Sequence, residues 1–453
     1  MHARRHLRRT LVGAVGAVTL LVIGSSPVAA IPSFARQTRM PCSSCHTQFL
    51  ELSEMGRNFK LNGFVLRAID AIEVADSTGK QELLLNLPSI ISTMILSSAT
   101  ATSHSLPGAK NYSVFLPDQL SVFLAGEIGP KLGAFVQVTM DGQSGTLAID
   151  NAELRFATQT QLASKPLTVG LSLNNNPTIS DLWNVTPVWG FPFSSSAIGP
   201  TPAATTMIDG TLGQRVAGLT AFGYLNNALY AEVGAYRAAP IGARQPLATD
   251  PAVAGVVRGL APYWRVALTK GWGDNYLMVG AYGMMARMYP GAGSPLTGPT
   301  DGYADVAADA QYMRTFGISS LTVAATWIHE KQVLDASFAG GAATAASHTL
   351  NTYRARATYH FGQRGALSVA PFVTTGDADA LLYAPAAVTG SAGGRPNSSG
   401  VVAQADLMPW QNVRLSAQYT AYTKFNGGTS NYDGSGRNAS HNNTLYLSLW
   451  LLY

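Results

Sequence analysis

The residues with the clearest chemical signature lie close to the start of the chain. Residues 41–46 read Pro-Cys-Ser-Ser-Cys-His, and Cys42 and Cys45 are the only cysteines in the sequence. Two thiols three positions apart at the start of a helix can reach the two vinyl groups of one porphyrin, and His46 then lies below the iron. The spacing predicts one covalently bound haem c, with Cys42 and Cys45 as attachment sites and His46 as the proximal axial ligand.

Two other uses of the cysteine pair are open. In an exported protein the two thiols can form a structural disulfide or act as a redox dithiol. Neither use requires a histidine directly after the second cysteine, and no thioredoxin-like βαβ pattern surrounds the motif. Haem attachment is therefore favoured over both.

The ligand on the other face of the iron does not follow from the motif. Met40 and Met55 are six and nine residues from His46, which is a short tether for reaching the opposite face. More distant candidates are His104, Met313 and His360. Any of them can be the distal ligand only if the haem-carrying segment docks onto the rest of the chain. The distal ligand stays open among these residues.

Residues 1–30 have the pattern of a secretory signal peptide. Four arginines precede the apolar run 11–23, and small residues end the segment at Ala30. A membrane anchor is the alternative, but the apolar run is too short to cross about 30 Å of hydrocarbon as a helix. We expect cleavage after Ala30 and export from the cytoplasm.

The charge balance excludes a nucleic-acid partner. The full chain has 30 basic and 25 acidic residues, and the four arginines before residue 30 leave 26 basic residues in the mature chain. Basic residues form no stripe. Only 12% of residues are charged, yet no apolar run after the signal peptide reaches the length of a membrane helix. This combination is typical of a closed β-barrel in an outer membrane.

The sequence from about residue 80 alternates with a period of two. In 351–361 and in 445–453, apolar residues occupy every second position, and sixteen candidate strands follow one another from residue 82 to the end. Short and long links alternate, as in outer-membrane barrels, whereas a soluble two-domain β-sandwich is the alternative. We predict an all-β antiparallel barrel of about 16 strands over residues 76–453, with both termini on the periplasmic side. A short α-helical cytochrome c head over residues 31–75 precedes it.

Two segments resemble one known family. The first contains IPSFARQT, CSSCH and GRNFKLNGF between residues 31 and 64, and the second is LSLNNNPTISDLWNVTPVWGFPF over 171–193. Both resemble the fused monohaem cytochrome–porins of iron-oxidising bacteria. The residues before Cys42, Arg-Met-Pro, depart from the smaller or glycine-containing sequence that the family leads one to expect.

The resemblance implies an electron-transfer role in the outer membrane, surrounded by its lipid. Extracellular Fe(II), or another external donor, would give electrons to the haem, and a periplasmic c-type cytochrome or copper protein would accept them. The activity would be that of an Fe(II):cytochrome c oxidoreductase.

Two other functions are compatible with the sequence. The first is a solute porin whose haem head serves as a redox sensor or a periplasmic docking module. The second is a barrel that houses a separate multihaem cytochrome, which the chain's own haem motif disfavours. The long link 173–214 either folds inward or caps the barrel, held by proline turns. The short tether between head and barrel predicts a haem inside the lumen, near Arg354, Arg356 and Asp309.

Overall fold

The structure is a computed structural model that describes residues 33–48, 50–66, 72–75, 81–85, 90–238, 255–290 and 296–453. The expected signal peptide, residues 1–30, lies outside these ranges. The expected boundary after residue 75 adjoins residues 76–80, which also lie outside them. Within the described ranges, no helix has the length and apolar character needed to cross a bilayer.

Sixteen long antiparallel strands form one closed barrel, as the sequence predicts. The last strand closes the barrel by pairing with the first, so that no edge strand remains unpaired. The strands are β5 (Ile91–Thr102), β6 (Tyr112–Gly129), β7 (Leu132–Asp141), β8 (Leu147–Leu162), β9 (Lys165–Asn174), β10 (Ala217–Leu225), β11 (Leu229–Arg237), β13 (Ala261–Trp272), β14 (Asn275–Tyr289), β15 (Asp301–Phe316), β16 (Ser319–Val333), β17 (Ser347–Phe361), β18 (Gly365–Gly376), β19 (Ser398–Trp410), β20 (Val413–Lys424) and β21 (Thr444–Leu452). A two-residue strand, β12 (Val256–Val257), pairs with β14.

The alternation along each strand separates an apolar exterior from a polar interior. In β17, Tyr353 and Tyr359 point outward and are exposed, whereas Thr358 and His360 are buried in the lumen. The same holds for β21, where Leu447 is exposed on the outside. An outward apolar surface on a closed barrel is the surface that faces lipid in outer-membrane proteins.

The first barrel strand differs from the prediction. The alternating pattern predicts a strand over 82–97, but β5 begins at Ile91, and 81–85 belong to a separate two-stranded sheet of β3 (Ile72–Ala75) and β4 (Gln81–Leu85). Proline cannot donate to a strand ladder, and the sequence of the predicted strand contains a proline at position 88. The alternation alone does not reveal this break.

The two ends of the barrel differ in their connections. Tight links such as Asn226–Asn227, with positive φ at both residues, join strands at one end, which we call the turn end. Long connections leave the opposite end, which we call the loop end. The longest one described throughout runs from residue 175 to residue 216 between β9 and β10.

Residues 33–48 and 50–66, which we call the head, lie inside the barrel at its turn end. They form the helices α1 (Ser33–Thr38), α2 (Cys42–Cys45) and α3 (Glu54–Leu61) and a small sheet of β1 (His46–Gln48) and β2 (Glu51–Leu52). A fourth helix, α4 (Asp335–Ala339), lies in a connection at the loop end. The barrel is therefore plugged by the segment of the chain that carries the cysteine motif.

Candidate haem-binding site

The motif is a single helical turn held against the start of α3. Ser53 links the two: its amide donates to the carbonyl of Cys45 at 2.9 Å, and its hydroxyl donates to the carbonyl of Ser44 at 2.6 Å. The same hydroxyl caps α3 by accepting from the amide of Gly56 at 3.2 Å. A Cβ at Gly56 would stand 2.1 Å from the Cys45 carbonyl oxygen, so this close approach requires glycine.

The side chains of the motif are partly buried and uncharged. Burial raises the pKa of the Cys42 thiol to about 11 and also raises that of Cys45, and the two thiols are free rather than joined in a disulfide. Burial lowers the pKa of His46 to about 4, which a hydrogen bond with the Glu51 main chain partly opposes. Neutral imidazole is the form that binds a metal, and such a hydrogen bond orients the ring.

Aromatic side chains of the head pack together beside the motif. The ring of Phe34 lies 5.0 Å from Phe59 and 5.4 Å from Phe64, measured between centroids. Phe64 in turn contacts Phe135 on β7, at 6.5 Å. These rings join the head to the barrel wall on one side of the motif.

Both cysteines and His46 face one cavity of about 370 Å³ between the head and the wall. This volume lies within the range of about 300–1,000 Å³ typical of small-molecule sites. The lining is mainly apolar, as a porphyrin face requires, and the wall and the 175–216 connection supply Met94, Phe123, Phe135, Trp189, Phe193, Trp450 and Leu452. The residues present therefore fit a haem attached to the two thiols, with His46 as one axial ligand.

Hydrogen bonds fix the head to strands on several sides of the barrel. The amide of Gln37 on α1 donates to the carbonyl of Ala125 at 2.9 Å, and its oxygen accepts from the main chain of Glu127 at 3.1 Å. The main-chain amide of Cys42 donates to the side chain of Gln411, in the turn between β19 and β20, at 3.3 Å. The motif is thus held directly by the wall.

The strongest ionic contact of the head is made by Glu51. Its carboxylate pairs with Arg356 on β17 and lies 3.0 Å from Nε2 of His360, four positions further along the same strand. Burial opposes ionisation of Glu51, but the charges of Arg356 and His360 outweigh it and lower the pKa of this carboxyl to about 2. The pair is buried and joins this part of the head to β17.

Two cations of α3 complete the docking. Arg57 donates to the sulfur of Met313 at 3.2 Å and lies 4.0 Å from the ring centroid of Tyr276. Lys60 is buried and donates to the carbonyl oxygens of Ile179 and Asp181 at 2.7 and 2.6 Å. The second contact joins the head to the long connection between β9 and β10.

That connection, residues 175–216, folds into the lumen, and we call it the plug loop. Asp181 is fully buried and lies 3.0 Å from Arg265 on β13, which also binds Asp309 on β15 at 2.7 Å. Trp183 is 1% exposed and donates to the hydroxyl of Tyr276 at 2.7 Å. Of the two conformations that the sequence leaves open, the inward one is correct.

The outer part of the plug loop reaches other strands. Asp209 forms a bidentate salt bridge with Arg354 on β17. The main-chain amide of Ile208 donates to the carboxylate of Asp305 on β15 at 2.7 Å. Elsewhere Thr100 on β5 bonds to Ser196 at 2.9 Å. The loop therefore crosses the lumen between separate parts of the wall.

Apart from Met40, which lines the cavity, the candidate distal ligands lie away from it. His360 is bound to Glu51, and Met313 accepts from Arg57. His104 stacks on His441 at 3.7 Å at the loop end, and Met55 is half-buried on α3 but does not line the cavity.

The expectation that Arg354, Arg356 and Asp309 surround the haem also needs correction. Only Arg356 contacts the head, through Glu51. Arg354 instead binds Asp209 of the plug loop, and Asp309 binds Arg265, which in turn pairs with Asp181 of that loop. Alternation of polar and apolar residues shows that a side chain faces the lumen. It does not show which segment inside the lumen that side chain will contact.

Sequence reasoning missed the residues that dock the head. In the sequence, Glu51 and Lys60 look like ordinary surface charges of a short helical segment. Met94, which lines the cavity, looks like any other residue of a strand. One signal was available: a segment too small to fold alone must pack against the rest of the protein, so its charged residues are candidates for docking contacts.

No protein-family model matches the chain, and no curated protein does. Several solved outer-membrane proteins resemble it in structure. OmpF of Salmonella typhi, in a complex with daunomycin, is 11% identical with a TM-score of 0.49 and covers 80% of this chain and 97% of its own. An anion-selective porin from Comamonas acidovorans is 11% identical with a TM-score of 0.45, covering 80% and 98%. The channel DcaP of Acinetobacter baumannii is 12% identical with a TM-score of 0.45, covering 80% and 96%.

Proposed function

We propose that this protein is an outer-membrane cytochrome–porin. It takes electrons from extracellular Fe(II) and gives them to a periplasmic carrier. The observation that carries this proposal is the convergence of Cys42, Cys45 and His46 on one apolar cavity inside a barrel. Bound haem supplies a one-electron carrier, and oxidation of each Fe(II) to Fe(III) releases one electron.

The chain's own residues position and shield this carrier. Lys60, Asn184 and Trp189 join the head to the plug loop on the side of the cavity that faces the loop end. The head closes the turn end, which we assign to the periplasm. Among the described residues, no group of three or more His, Cys, Asp or Glu side chains is arranged to hold a metal ion. Fe(II) is accordingly proposed as a transient donor.

The test uses the purified protein in sealed vesicles with the loop end outward. Fe(II) added outside should reduce the haem, seen as sharpening of the visible absorption bands, and reduction should continue to a carrier enclosed within the vesicle. A Cys42→Ala, Cys45→Ala variant is the control. A haem spectrum that external Fe(II) never changes would contradict the proposal.

A solute porin with a haem head is the second candidate function. A sixteen-stranded barrel is wide enough to hold a channel, and this observation favours it. Swelling of vesicles in small sugars, without reduction of the haem by external Fe(II), would support it. A sleeve for a separate cytochrome is disfavoured, because the head and the plug loop already occupy the lumen.

A further inference from the structure

A haem held by His46 on one face has a second axial position, and the cavity limits what can fill it. Apart from the motif, four described residues that line the cavity carry a thioether, amine or carboxylate: Met40, Lys60, Met94 and Glu153. Thioether, imidazole and thiolate groups are the usual protein ligands of haem iron. The choice is therefore among a few side chains.

Two of the four are engaged elsewhere. The ammonium of Lys60 donates to two carbonyl oxygens of the plug loop at 2.6 and 2.7 Å and lies 4.6 Å from the ring centroid of Trp189. The carboxylate of Glu153 binds Arg155 at 3.1 Å and accepts from the hydroxyl of Ser172 at 2.7 Å. Releasing either group would leave buried partners unpaired, which is costly.

The two remaining candidates are thioethers in different positions. Met40 is two residues before Cys42 and is joined to it by Pro41, whose ring fixes φ, so it stays at the porphyrin edge where Cys42 attaches. Met94 belongs to the barrel wall, where β5 pairs with β6 on one side and β21 on the other. It lines the same cavity as Cys42, Cys45 and His46.

The surroundings of Met94 suit an iron–thioether bond. The side chain is 5% exposed and packs in an apolar cluster with Leu96, Trp450 and Leu452. Phe123 packs against the same cluster. An apolar shell keeps water from competing for the iron and favours the reduced, less charged state, as methionine ligation itself does.

We propose that Met94, on barrel strand β5, is the distal axial ligand of the haem iron. This inference rests on the proposed function, because it presupposes haem on Cys42 and Cys45. Its consequence is that the cytochrome is completed by the barrel: the head supplies His46 and the wall supplies Met94. The haem then acquires its final ligand only after the head has entered the lumen.

The experiment compares two leucine variants of the full-length holoprotein. Met94→Leu should keep its haem stain on a denaturing gel, lose the far-red charge-transfer band of methionine-ligated ferric haem, and show a lower reduction potential. Met40→Leu, which removes a thioether from the same cavity, is the matched control and should retain the band and the potential.

Met94→His guards against a leucine variant that fails to assemble. It should give a low-spin spectrum without the methionine band and a lower potential. A Met94→Leu protein with an unchanged band would overturn the proposal, and loss of the band in Met40→Leu alone would assign the ligand to Met40. Failure of the proposed function would be seen in a different measurement. If the Cys42→Ala, Cys45→Ala variant kept its haem stain, the motif would not be the haem attachment site, whatever the result for Met94.

Discussion

At the scale of single residues, the shape of the Cys42–His46 motif depends on Gly56. A Cβ at this position would lie 2.1 Å from the carbonyl oxygen of Cys45, which belongs to the main chain and cannot move aside. Overpacking of this kind typically costs about 1–3 kcal/mol. We predict that Gly56→Ala lowers the haem content several-fold, measured as haem stain per folded barrel.

The matched control for Gly56 is Gly129, which lies at the end of β6. A Cβ there meets nothing within 4 Å, so Gly129→Ala should leave the haem content unchanged. Equal haem content in both variants would show that the turn tolerates a side chain. The attachment residues follow from sequence spacing, but the need for glycine does not, because it arises from two segments that meet only in the fold.

At the scale of elements, the docking of the head depends on Glu51. Glu51→Gln would leave Arg356 buried without its opposite charge, and breaking a buried pair in this way costs about 3–5 kcal/mol. We predict that the head of this variant is cut by protease while the barrel stays intact. Glu54→Gln, on the exposed side of α3, is the control and should resist cleavage like the natural protein. Equal resistance of Glu51→Gln would mean that other contacts suffice.

The strands could be predicted from the sequence more completely than the lumen could. An alternation such as Tyr353 to Phe361 is a local property of the chain and needs no knowledge of distant residues. The inward course of the plug loop depends on Arg265 meeting both Asp181 and Asp309, and the three residues lie on separate segments. Nothing local distinguishes such a loop from one that caps the barrel.

At the scale of the whole molecule, the lumen should conduct ions poorly. The head fills the turn end, and the plug loop, residues 175–216, lies across the lumen with contacts to β13, β15 and β17. We predict a conductance in planar bilayers far below that of an open sixteen-stranded channel. Replacing residues 176–213 by a short Gly-Ser link should raise it several-fold. A natural protein that already conducts like an open channel would contradict this and favour the solute-porin function.

The turn end also carries an uneven charge, which bears on the proposed electron acceptor. Exposed cations surround the head at this end, and among the described residues they are Arg39, Lys131, Lys165, Lys270, Arg314 and Arg364, against the exposed acids Glu54 and Asp274. A surface of one sign speeds the approach of an oppositely charged partner, and salt screens the effect. We therefore expect an acidic cytochrome or copper protein to accept electrons faster than a basic one.

This expectation is measured as the rate at which reduced protein, with its turn end exposed, reduces an acidic carrier. The rate should fall about tenfold as salt is raised from low concentration to several times the physiological level, within the range known for electrostatic steering. Arg39→Glu combined with Lys131→Glu should lower the low-salt rate and flatten its salt dependence, because Arg39 belongs to the head and Lys131 lies beside it. Lys110→Glu reverses one charge at the loop end and should change neither quantity. A rate that is independent of salt, or that drops equally in the Lys110 variant, would mean that the basic residues of the turn end do not guide the acceptor.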